Sequence, residues 1–311
     1  MRYTLIFILI SSFIISCSTE KRDSSSEQSK EINNPSEPET EKPIEKLKLG
    51  IIQTNLKGDT INFDDPFTAR ICFDYDSRTG WKVDDSDSLE NLSMTICFDN
   101  RTLGTIELLK KWPYDCTYMN DKKFVIKNSS QIPKVGKPTM QFAGWPYHMV
   151  YRPVVINSQP YYKDPLKWRP FVPSESDSTL IHEWLSEEYF QSDTAIINKI
   201  LKSYSTADRT RKLVNLHLND GFQIKIPYKE QFKIYDGEAF TPYARYNLWF
   251  LIRDDNEVQQ ISPFLTLVDA GDYNNNDQVE VIFMIQDYNY DGFVMYYNDF
   301  EDLVQYGWRY H

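Results

Sequence analysis

The chain has 311 residues, with 45 acidic side chains against 34 basic ones and a formal net charge of −11. That balance excludes nucleic acid as the expected partner, because phosphate binding draws on a basic surface. Aromatic residues make up 15%, with 21 Tyr, 18 Phe and 7 Trp, a content that suits half-buried β surfaces and also sugar stacking and protein interfaces.

In chain order the first element is an export signal. Arg2 precedes an apolar run from Tyr3 to about Ile15. The run is shorter than the roughly 20 residues a helix needs to cross a bilayer. Its order of charge, apolar stretch and small residue is that of a secretory signal. The tetrapeptide Ile14-Ile15-Ser16-Cys17 resembles the lipobox of bacterial lipoproteins. The resemblance implies that residues 1–16 are a signal peptide and that Cys17 is thioether-linked to diacylglycerol and then acylated, which supplies the more than one chain that stable anchoring needs. The expected partner is therefore the membrane, reached through the anchor, and the expected location is the bacterial cell envelope. Ser18, by resemblance to enteric lipoproteins, favours the outer membrane. Between Ser18 and Lys46 there is no aromatic residue, and the aliphatics are Ile32 and Ile44. Such a stretch cannot bury enough apolar surface to offset its ordering entropy, so residues 17–46 are expected to form a lipidated, disordered tether.

The rest of the chain reads as mainly β. Residues 47–172 form a first β-rich lobe, with strands at 47–53, 68–73, 93–98, 104–109, 123–126, 139–143 and 149–156, bounded by Gly, Asp, Asn or Pro. Residues 173–205 form a helical connection: Leu180, Ile181, Trp184 and Leu185 share one face of a helix over 177–191. Ile196, Ile197, Ile200 and Leu201 share a face of a second over 193–203. Residues 206–311 form a second β-rich lobe, with strands at 212–218, 222–226, 232–235, 246–252, 259–268, 279–285 and 293–297. Cys72 and Cys97 lie in matching segments, Ile71-Cys72-Phe73-Asp74 and Ile96-Cys97-Phe98-Asp99. If these strands are neighbours the two thiols form a disulfide; otherwise they are a pair of buried free thiols. With Cys116 the number beyond Cys17 is odd, so at most one disulfide forms within the chain.

The sharpest local pattern is Asp272-Tyr273-Asn274-Asn275-Asn276-Asp277-Gln278-Val279-Glu280, running into Val281–Ile285. Oxygen side chains at alternate positions with a carboxylate eight residues after the first can wrap a hard cation, and calcium takes six to eight oxygens. Asp272, Asn274, Asn276 and Glu280 offer side chains and Gln278 its carbonyl. The segment Asp269–Ile285 resembles the calcium loop of integrin-type FG-GAP and related VCBS repeats, and the resemblance implies calcium as a cofactor. Asp277 stands where those loops carry glycine, so it must take a left-handed backbone.

A second, weaker loop follows. Asp287, Asn289 and Asp291, with Gly292, match the first half of an EF-hand or dockerin loop, but Met295 and Asn298 hold the ninth and twelfth positions. A hairpin turn at Asn289-Tyr290-Asp291-Gly292 is the expected use of this segment. A strand of seven residues between the two loops spans roughly 23 Å, so they cannot share one ion.

Signatures of catalysis are scarce. His182-Glu183 begins like a zinc-protease helix, yet Ser186 occupies the place of its second histidine. There is no Gly-x-Ser-x-Gly and no phosphate-binding loop. The expectation is a non-catalytic binding or interaction module of the envelope, calcium-stabilised, with a protein or glycan partner. The alternative is a secreted hydrolase of glycans or envelope polymers.

Overall fold

The computed structural model describes residues 45–53, 55–57, 60–61, 68–86, 88–98, 101–111, 123–127, 139–140, 149–150, 154–160, 162–189, 197–218, 247–261, 265–287 and 290–309. The signal, Cys17, the expected tether up to residue 44, Cys116, Asn289 and the strands expected at 222–226 and 232–235 lie outside these residues. The end of the expected tether is corrected, because Lys46 already belongs to a strand and pairs with Asp76. The described part belongs to one compact unit, Glu41–His311. Its class is mainly β, as expected, and residues 47–172 and 206–311 fall within that one unit.

The first part of the chain contains β1 (Lys46–Gln53), β2 (Asn55–Lys57), β3 (Thr60–Ile61), β4 (Thr68–Asp76), β5 (Gly80–Val83), β6 (Ser93–Phe98), β7 (Arg101–Lys111), β8 (Lys123–Lys127), β9 (Thr139–Met140), β10 (Met149–Val150) and β11 (Val154–Asn157), of which β2, β3, β9 and β10 form a separate small sheet in the order β3-β2-β10-β9. Six of these strands pair in the order β1-β11-β6-β7-β8-β4, and β4 also pairs with β1, so the antiparallel sheet closes into a ring with β5 as an arm on β4. Closure leaves few unpaired edges. The alternation of each strand sends Ile71, Ile96, Ile106, Phe124, Ile126 and Ile156 to the inside. Leu49, Cys72, Phe73, Cys97 and Val155 point outward into a second core.

The chain then continues through β12 (Arg169–Pro170), α1 (Glu175–Tyr189), β13 (Ile197–Ser205), β14 (Arg211–Leu218), β15 (Asn247–Arg253) and β16 (Val258–Ile261). The five strands form one sheet in that order. A capping box starts the helix: Ser174 Oγ accepts the Asp177 N–H at 3.2 Å, and Asp177 Oδ2 accepts the Ser174 N–H at 2.8 Å. Ile181 and Leu185 then pack on Val214, Leu248 and Phe250 of the sheet. The expected helix over 193–203 is corrected: Ile197–Ser205 is a strand. It pairs with β14 with register shifts at Ile197/Lys199 and Ile200/Lys202. Each shift adds one residue to the strand, so apolar side chains three apart return to one face and imitate helical spacing.

The last layer is the meander β17 (Leu265–Gly271), β18 (Glu280–Asp287), β19 (Tyr290–Tyr297) and β20 (Asp302–Arg309). It lies between the closed ring and the five-stranded sheet. Ile282, Met284, Phe293, Met295 and Trp308 face the closed ring, and Val281, Phe283, Ile285, Val294 and Tyr296 face the five-stranded sheet. Burial on both sides explains why Val281–Ile285 is a continuous apolar run rather than an alternating one.

Two local points are decided here. Of the two alternatives for Cys72 and Cys97, the disulfide is corrected and the buried free thiols stand: β1 and β11 lie between their strands. Each Sγ lies near its own strand's carbonyl, at Arg70 and Thr95. The turn expected at Asn289-Tyr290-Asp291-Gly292 falls earlier. Asp287 pairs with Tyr290, and Asp291 and Gly292 are inside β19, opposite Gln286 and Ile285. Cross-strand packing of Phe283 against Val294 and Met284 against Phe293 sets that register. Asp287 and Asp291 therefore belong to paired strands, and Asn289 lies outside the described residues.

Candidate metal centre

Gly271 of β17 pairs with Glu280 of β18, and the eight residues 272–279 loop out between them. Inside the loop Asp272 accepts two backbone N–H groups, from Asn276 to Oδ1 at 3.0 Å and from Asp277 to Oδ2 at 2.9 Å. Asn274 Oδ1 accepts the Asn276 N–H at 3.2 Å, and Asn276 Oδ1 accepts the Gln278 N–H at 2.9 Å. These are the local side-chain bonds by which Asp and Asn hold a turn. Asp277 has φ 65° and Asn275 φ 58°, so Asp277 takes the left-handed backbone its position demands.

Asp272, Asn274 and Glu280 are buried, whereas Asn276, Asp277 and Gln278 are exposed. Glu280 Oε2 accepts the Tyr273 N–H at 2.9 Å, and Oε1 accepts Trp81 Nε1–H at 3.1 Å. Burial pushes the Glu280 carboxyl up to about 8, the Asp272 charge adds to the rise, and these two donors oppose it. The Asp272 carboxyl is also pushed up by burial, against the pull of its two N–H donors and of Lys163. Lys163 Nζ lies 3.8 Å from Asp272 Oδ2 and 3.1 Å from Asp277 Oδ1, at a half-exposed position.

The loop is tied to the closed ring on several sides. Trp81 is on β5, and Asn157 of β11 donates Nδ2–H to the Tyr273 carbonyl at 3.1 Å. Asp272 N–H donates to the Lys163 carbonyl at 2.7 Å. Tyr162 stacks on Tyr273 with ring centroids 5.2 Å apart, and its hydroxyl sits 2.9 Å from Asp269 Oδ2 and 2.7 Å from the Ala270 carbonyl. A side chain at Gly271 would overlap the Tyr162 ring, which is why that position carries none. The partners Trp81, Asn157, Tyr162 and Lys163 lie more than 100 residues from the loop in sequence, and no local pattern marked them.

Chemically, the five expected ligands offer oxygen alone: two carboxylates, two amides and a carbonyl. The carboxylate oxygens of Asp272 and Glu280 accept hydrogen bonds, and a carboxylate's two oxygens together offer about four lone-pair sites. Two buried carboxylates that repel one another, with an exposed ammonium as nearest counter-charge, fit a hard divalent cation, whose charge would reverse the upward pKa shifts. Among the described residues no three His, Cys, Asp or Glu side chains converge, so the amide and carbonyl oxygens are needed to complete the shell. His182 lies on α1 beside Glu183, Ser186 and Glu187 at the surface. Comparison of the chain with protein-family models, with curated proteins and with solved structures gave no match.

Proposed function

We propose that this is a lipoprotein of the bacterial cell envelope, anchored through Cys17 and working as a non-catalytic binding module whose Asp272–Glu280 loop takes calcium. The signal sequence and the lipobox support the address. The observation that carries the ion is the pair of buried carboxylates, Asp272 and Glu280, in a loop that other donors already hold in shape. In this reading calcium is structural: it neutralises the pair and fixes the loop where the closed ring meets the central sheet.

The alternative of a glycan hydrolase has less to draw on. Hydrolysis of that kind needs two carboxyl groups across a cleft, one of them able to donate a proton. Asp277 and Asp299 line a common cleft, but Asp277 is held by Lys163, and Asp299 by Arg211 and Arg253.

The anchor is tested by labelling producing cells with palmitate. The wild-type chain should incorporate label and fractionate with membranes, and Cys17→Ser should do neither. Labelled, membrane-retained Cys17→Ser would overturn the address.

A further inference from the structure

Beside the loop lies a cleft of about 150 Å³ between the central and five-stranded sheets. Leu166, Trp168 and Phe300 give it apolar and aromatic walls, and Arg211, Gln278 and Asn298 stand among its polar groups. Gln278 and Asn298 are exposed at the rim. Two of the loops that line it are held in an unusual backbone: Asp277 on one side, and Asn298, Asp299 and Phe300 in succession on the other, have φ between 50° and 69°.

From this geometry we infer that the cleft binds one neutral sugar ring of a glycan. Three observations set the ligand class. The charges are already spent: Arg211 is paired with Asp299, which Arg253 also holds, and Asp277 with Lys163. A phosphate or a free carboxylate would have to break an ion pair to enter. The walls are aromatic while the rim offers planar side-chain amides and carboxylates, and a pyranose has the matching shape, an apolar C–H face and an edge of vicinal hydroxyls. An aliphatic peptide side chain would fill the walls and make no use of the rim. The volume is below that of the pockets that hold drug-sized ligands and takes a single ring. Trp168 Nε1–H is buried and has no hydrogen-bond partner among the described residues.

The inference deepens the reading of a binding module and does not depend on the ion. Its test is ligand-observed NMR on the full chain in detergent, with calcium and again with chelator. The ligands are methyl glycosides of neutral hexoses and of N-acetylhexosamines, set against N-acetyl-leucinamide and inorganic phosphate. At least one glycoside should bind in the millimolar range under one of the two conditions. Trp168→Ala should weaken it by about tenfold or more, the scale of one lost anchor. Gln278→Ala, at an exposed position, should weaken it several-fold with no change in melting temperature, and it decides the matter if Trp168→Ala does not fold. No glycoside binding up to tens of millimolar, unchanged binding in Gln278→Ala, or binding of leucinamide or phosphate alone would overturn the inference. Failure of calcium to bind, with glycoside binding intact, would sink the metal reading and leave this one standing.

Discussion

Glu280 shows how a single side chain links the loop to stability. In the folded chain its carboxyl sits at about 8 instead of 4.5, with burial as the largest cause and repulsion from Asp272 behind it. Between those two values the folded protein keeps a proton that the unfolded chain has lost. Stability of the metal-free protein must therefore fall as pH rises through that window, by a few kcal/mol at most. A series of melts in chelator should show the melting temperature dropping between about pH 5 and pH 8, and Glu280→Gln should flatten the slope. A metal-free wild type whose melting temperature rises across that range would contradict the assignment of the buried proton to Glu280. Lys163, the nearest counter-charge to Asp272, is half exposed and cannot offset two buried carboxylates.

At the scale of elements, the loop depends on strands far from it in sequence. Trp81 of β5 is buried and donates to Glu280 across the junction. Trp81→Phe keeps most of the apolar area and removes the donor, leaving a buried carboxylate oxygen unsatisfied. The expected cost is about 1–3 kcal/mol, read as a lower urea midpoint at unchanged m-value, and an unchanged midpoint would mean the bond contributes nothing. This distant dependence also marks what the sequence could reveal. Short apolar or aromatic runs, such as Ser93–Phe98 and Asn247–Arg253, were legible within a residue or two. β13 was not, because its two register shifts mimic helical spacing. The turn after β18 was misplaced because Asp291-Gly292 is a strong turn signal overruled by the packing of Phe293 and Val294. The turn chemistry of 272–280 was legible because its oxygens bond their own backbone. Its anchors on β5 and β11 were not, since nothing local encodes a contact made across the fold.

For the whole molecule the decisive feature is layering. The closed ring, the central meander, the five-stranded sheet and α1 stack in that order, and each interface has its own apolar cluster. The meander packs on the closed ring and on the five-stranded sheet, and its first turn carries the buried carboxylates. Fixing that turn fixes the joint between the ring and the rest of the fold. An ion there stabilises the folded state according to its free concentration relative to its dissociation constant, about 2.7 kcal/mol at a hundredfold excess.

The central claim is therefore tested by thermal unfolding of the purified chain at pH 7.5 or so with millimolar calcium or with chelator, alongside Asp272→Ala. Calcium should raise the melting temperature of the wild type by several degrees, and the variant should show no rise. A wild-type melting temperature that does not respond to calcium, or an equal rise in Asp272→Ala, would contradict it.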